Sequence, residues 1–151
     1  MTPEFTPAGS AGAWQIGTPS VLGAAALHGS LVVANDAGID RVRTKSLALT
    51  GLLLDLIEVR LADFGFASPT PRDPARRGGH VAVTHAQAAG LVKALKARNV
   101  VPDFRPPNVI RLAPVAFYTR FVDVWDAVEA LADIVRSGAH HAFQNDREVV
   151  A

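Results

Sequence analysis

Apolar side chains recur at helical spacing in three stretches of this chain and alternate at strand spacing in three others. Leu49, Leu52, Leu53, Leu56 and Val59 form one stripe, with Arg43, Asp55, Glu58 and Arg60 left for water, which predicts a helix from about Arg41 to Phe64. At 1.5 Å per residue that helix is roughly 35 Å long, and Gly65 stops it. Ala88, Leu91, Val92 and Leu95 predict a second helix running to Arg98, with Thr84 and Gln87 at capping-box spacing before it and Asn99 as a left-handed stop. Phe121, Val124, Trp125, Val128, Leu131 and Val135 predict the last, ended by Gly138, and on that stripe Trp125 reads as core. A fourth helix, from about Ser20 to Ala34, rests on small residues (Gly23, Ala24, Ala25, Ala26, Gly29) that invite another backbone to approach. Thr18 is placed to cap it and Pro19 to occupy its first position.

The strand-like runs are His80–Thr84, Val100–Phe104 and Val109–Ala113, the last two joined by the rigid turn Arg105-Pro106-Pro107-Asn108. The order is helix, long helix, strand, helix, two strands, helix. It predicts an α+β fold, a small and mostly antiparallel sheet with helices packed on one face.

Length and composition narrow the class. At 151 residues the chain holds one domain and an appendage, and 49% hydrophobic against 19% charged residues exclude a disordered protein. A net charge of +1 is too balanced for binding nucleic acid or a membrane surface by field alone. The absence of cysteine removes disulfides, thiolate metal sites and cysteine nucleophiles, and fits a reducing compartment. The first fourteen residues lack the basic and apolar regions of a secretory signal, and no apolar run reaches the roughly 18 residues of a membrane span. A soluble, cytoplasmic domain is expected.

Candidate chemistry is sparse. Gly17-Thr18-Pro19-Ser20 at a helix start offers backbone N–H groups, two hydroxyls and the positive end of a dipole, which suits a phosphate, although ordinary capping explains the same residues. Arg111 interrupts the run Val109-Ile110-Arg111-Leu112-Ala113 and shares a face with Val109 and Ala113. Held on a strand it can clamp a carboxylate bidentately; the plainer alternative is an edge-strand arginine in water or paired with Asp103. The five histidines have no metal-ligand spacing, and Arg76-Arg77 reads as a solvated loop. Lys45, Lys93 and Lys96, the three lysines, all fall on amphipathic helices rather than where a lowered pKa would suit covalent work.

Five segments in order carry a resemblance. Trp14-Gln15-Ile16-Gly17-Thr18-Pro19 before an Ala-rich helix, Arg43-Thr44-Lys45-Ser46-Leu47-Ala48-Leu49-Thr50, and Arg77-Gly78-Gly79-His80-Val81 are the first three. Asp103 to Pro114 and Phe117-Tyr118 with Asp123-Val124-Trp125 complete the set. Together, from about Phe5 to Ser137, they resemble the C-terminal third of kynureninase. That family implies the aspartate-aminotransferase (type I) fold, a homodimer and the cofactor pyridoxal 5′-phosphate (PLP). It also implies hydrolysis of L-kynurenine or 3-hydroxykynurenine to anthranilate or its hydroxy analogue and alanine. The resemblance puts Gly17 and Thr18 at the cofactor phosphate and Arg111 on the substrate α-carboxylate, and gives Arg105 and Tyr118 supporting roles.

It also implies that the cofactor lysine, the acid beneath the pyridine nitrogen and the stacking aromatic precede this chain, so that no catalytic residue is expected in it. Residues 1–39 are expected to be a lead-in and interdomain helix, 40–138 the small domain and 139–151 a tail. The chain, a piece of a longer enzyme or one subunit of a split one, is expected to be inactive alone and to expose an apolar face around Leu22 and Gly23 to Gly29. The rival expectation is a non-catalytic dimerisation or binding module.

Overall fold

The structure is a computed structural model, and it describes residues 6–15 and 17–146. The chain divides into two compact units, Met1–Ile39 and Asp40–Ala151. In the first, helix α1 spans Val21–Ala37. Its cap is Ser20, whose hydroxyl accepts from the Gly23 N–H at 3.2 Å, so the cap falls two residues after Thr18 and Pro19 lies outside the helix. The single-hydroxyl cap outcompetes the Thr18 register because Ser20 reaches the third helical N–H directly. Gly38, at a φ of 74° that a side chain would strain, closes α1. No residue of α1 is buried, although Leu22, Leu27, Val32 and Val33 are among its side chains.

The second unit is the α+β fold that the order of elements predicts. Helix α2 (Ile39–Leu61) continues into a 3-10 turn, Ala62–Phe64, before Gly65 turns left-handed, so the long helix begins two residues earlier and tightens three residues before its expected end. Strand β1 is Val81–Thr84, helix α3 Ala88–Lys96, β2 Asp103–Arg105, β3 Val109–Leu112 and helix α4 Phe121–Ser137. The sheet is antiparallel with β3 in the middle, in the order β1-β3-β2. Val83 lies opposite Ile110 and Ile110 opposite Phe104, and with Val81 and Leu112 they form the face that meets the helices. Leu49, Leu53 and Leu61 of α2, Leu91 and Leu95 of α3, and Val128, Leu131 and Ile134 of α4 complete this core.

Three expectations are corrected here. Trp125 is 45% exposed: the α4 stripe buries Val124, Val128 and Leu131, while the indole lies beneath the Arg60 guanidinium, 5.6 Å from its ring centre. Arg60 in turn holds Glu129 with two hydrogen bonds of 2.6 and 2.9 Å, which ties α2 to α4. Arg77 is no solvated loop residue. Its guanidinium donates to the buried Thr50 hydroxyl at 3.2 Å and the Leu47 carbonyl at 3.3 Å, while Arg43 donates to the carbonyls of Arg77 and Pro74. The loop is thereby latched to α2.

The capping box also gives way. Thr84 ends β1, the Gln87 side chain caps nothing, and α3 stops at Lys96. The N-terminus of α3 is satisfied from 55 residues away: Asn145 accepts from the Gly90 N–H at 3.1 Å through Oδ1 and donates to the Ala86 carbonyl through Nδ2. His85 Nδ1 accepts from the Gln87 N–H at 3.0 Å. Residues 139–146 therefore cross the start of α3, with His140 buried at 5% exposure and Lys93 holding Asp146 at 2.8 Å. A Cβ on Gly90 would stand 3.2 Å from the His140 carbonyl oxygen, so a side chain there would press the crossing segment back by a few tenths of an ångström. Asn145→Ala is expected to destabilise the fold by about 1 kcal/mol in urea unfolding, the usual loss for a cap. Gln87→Ala is expected to leave the midpoint where it is, since that side chain makes no capping bond.

Candidate functional site

Register decides what the second face of the sheet carries. Residues opposite one another in an antiparallel pair share a face, and successive residues alternate. With Ile110 inward, Arg111 points outward, and so do its partners Ala82 on β1 and Asp103 on β2. Arg105, two residues beyond Asp103, shares that face, as does His80, two residues before Ala82. Arg111 thus stands on the central strand, not at an edge. Its backbone is fixed on both sides by β1 and β2.

Asp103 organises the charges. Arg111 Nε donates to Asp103 Oδ2 at 2.8 Å, Nη2 donates to the same oxygen, and Arg105 Nε joins at 2.9 Å. The pairing with Asp103 that the sequence left open is therefore formed, and it leaves Arg111 accessible, with 37% of its side chain exposed. Partial burial alone would raise the Asp103 carboxyl, but the Arg111 hydrogen bond and the charges of Arg105 and Arg111 outweigh it and hold the carboxyl below its ordinary 3.8. Arg111, Asp103 and His80 line a hollow of about 410 Å³ together with Val101, Pro102 and Ala113. His80 reads in the sequence only as the start of a strand; counting alternation back from Ala82 would have put it here.

Gly17 and Thr18 lie in the first unit, both exposed. A Cβ on Gly17 would meet nothing within 4 Å. Because Ser20 takes the Gly23 N–H and its carbonyl the Ala24 N–H, the N–H groups of Val21 and Leu22 and the Thr18 hydroxyl have no hydrogen-bond partner among the described residues. Tyr118 is 75% exposed, on the turn before α4. Of the lysines, Lys45 lies on α2 and Lys96 in the last turn of α3, while Lys93 is engaged by Asp146 and the Gln144 carbonyl. Among the described residues no group of three acidic or histidine side chains is placed to hold a metal ion, and no helix is long and apolar enough to cross a membrane.

The Asp103 shift has a pH consequence. A carboxyl whose pKa is lowered by folding stabilises the fold above its unfolded value, and that contribution disappears as pH falls through the folded value. The Arg111–Asp103 link is therefore expected to survive to a pH below the ordinary 3.8. Carboxyl ¹³C NMR should show Asp103 titrating below that value, and Arg111→Gln should move it upward.

Comparison with known proteins shows the family of the chain. A family model described as the kynureninase C-terminal domain matches residues 42–131. Over all 151 residues the chain is 49% identical to a kynureninase of Geobacillus thermodenitrificans (strain NG80-2). It is 50% identical to those of Bacillus thuringiensis subsp. konkukian (strain 97-27) and Bacillus anthracis. In each case the match covers 100% of this chain and 35% of the relative, so the chain spans about a third of the length of the curated relatives it matches. With a family model covering most of the second unit and relatives at half identity from end to end, the chain belongs to the kynureninase family and carries its C-terminal domain.

Proposed function

We propose that the chain serves as the small-domain part of a PLP-dependent, homodimeric kynureninase of the type I fold. The reaction is hydrolysis of L-kynurenine or 3-hydroxykynurenine to anthranilate or 3-hydroxyanthranilate, with release of alanine. The observation that carries this reading is Arg111, rigidly seated on the central strand and facing an open hollow of about 410 Å³. A guanidinium in that position binds a carboxylate with two parallel hydrogen bonds and so fixes the orientation of an amino acid about its Cα. A lysine there would hold only a point charge and leave the angle free.

The residues of the first unit fit the phosphate of the cofactor. The N–H groups of Val21 and Leu22, without a partner among the described residues, open a 17-residue helix. Thr18, with its hydroxyl, and Gly17, where a Cβ would meet nothing within 4 Å, precede it in the chain. They do not supply the amine that would carry the aldehyde, since the three lysines all lie on α2 and α3. When bound, the cofactor provides the electron sink that carbon–carbon cleavage requires. Gly17 and Thr18 would hold its phosphate, Arg111 the substrate carboxylate, and the lysine would come from the part of the enzyme outside these residues.

The exposed apolar surface of α1 favours a partner surface in any reading, including a non-catalytic dimerisation or binding module. Incubating the chain with PLP and kynurenine is expected to release no anthranilate above a control with PLP alone. Adding a separately expressed large domain is expected to restore turnover. Turnover by the chain alone would contradict the division of labour, and a failure to restore it would favour the non-catalytic module.

A further inference from the structure

Asp103 does more than neutralise charge. An arginine has two usable edges: one formed by Nε and one Nη, the other by the two Nη groups. Asp103 takes the first, accepting from Nε at 2.8 Å and from Nη2 with a single oxygen, Oδ2. Nη1 has no hydrogen-bond partner among the described residues, so the Nη1–Nη2 edge is unoccupied, and Arg111 is one of the residues that line the hollow. We propose that Asp103 is a positioning residue that clasps the Nε edge of Arg111 and presents the Nη1–Nη2 edge to a singly charged carboxylate. The inference rests on the assignment of Arg111 to the substrate carboxylate.

Three features of the structure support buttressing rather than competition. The cross-strand register places Asp103 directly opposite Arg111, so backbone pairing, not a chance rotamer, brings the two together. Arg105 Nε donates to the same Oδ2 at 2.9 Å, so the carboxylate is held by two arginines rather than by Arg111 alone. The charges also fit one ligand: Asp103 leaves the trio with Arg105 and Arg111 at one net positive charge. A monocarboxylate completes that balance, whereas a dicarboxylate brings a second negative charge toward Asp103 itself. Asp103 is therefore a specificity element against doubly negative ligands as well as a support.

The test uses the full-length enzyme carrying these residues, loaded with cofactor, and compares Asp103→Asn, Asp103→Glu and Arg111→Ala. Arg111→Ala is expected to raise the KM for kynurenine on the order of 100-fold or more, the loss that follows removal of one partner of a charged pair. Asp103→Asn keeps the shape and removes the charge. It is expected to raise KM roughly 10-fold, the scale of one charge-assisted hydrogen bond, with kcat changed by less than about threefold. Inhibition by succinate should strengthen in the same variant, and Asp103→Glu should recover part of the KM. An unchanged KM in Arg111→Ala would remove the clamp and the inference together. A large effect of Arg111→Ala, with kynurenine bound equally well or more tightly in Asp103→Asn, would overturn the positioning role alone and identify Asp103 as a competitor for the clamp.

Discussion

The pairing register of β3 with its two neighbours is the constraint on which the rest of the second unit depends. One parity sends Val83, Ile110 and Phe104 into the helices and sends Arg111, Asp103 and Arg105 outward. A slip of β3 by one residue would turn its own side chains over, burying Arg111 and exposing Ile110 and Leu112. The core therefore enforces the site. Ile110, at 0% exposure, holds its neighbour Arg111 on the open face as firmly as it holds itself in the closed one.

The helices complete what the sheet begins. Leu49, Leu53 and Leu61 of α2 cover the inner face together with α3 and α4, so Arg111, on the outer face of the same strand, stands on a packed support. Around this body, long side chains reach back to backbone groups that loops would otherwise leave bare. Arg77 and Arg43 latch the loop before β1, and Asn145 caps α3. Each of these joins stretches at least 27 residues apart, and each spans a place where local sequence provides no partner.

This division explains how much could be read from the sequence. Periodicity found α2, α3 and α4 and two of the strand-like runs, while small residues and a helix start signalled α1. The run expected at Val100–Phe104 is corrected to β2 at Asp103–Arg105, where pairing with β3 extends the strand into the expected turn. The glycines at 65 and 138 and Asn99 have left-handed backbones. Arg111 was legible because a charge inside an alternating apolar run has only one face to occupy. Local signals were less dependable where two candidates lay close together, as with Thr18 and Ser20 at the start of α1. They failed where the partner is distant in sequence: Thr84 and Gln87 mimic a capping box, yet the cap comes from Asn145. Trp125 belongs to the stripe by spacing but lies at its margin, where Arg60 covers it. His80 carries no motif, and only the register with β3 shows that it shares a hollow with Arg111.

On its outer sheet face this kynureninase C-terminal domain carries an arginine with its Nε edge held by Asp103 and its Nη1 without a partner among the described residues. A structure of the full-length enzyme with a bound kynurenine analogue tests that account most directly. The account requires the ligand carboxylate at about 2.7–2.9 Å from Nη1 and Nη2 of Arg111, with Asp103 still on Nε. A carboxylate held by other residues, with Arg111 paired to Asp103 alone, would contradict it.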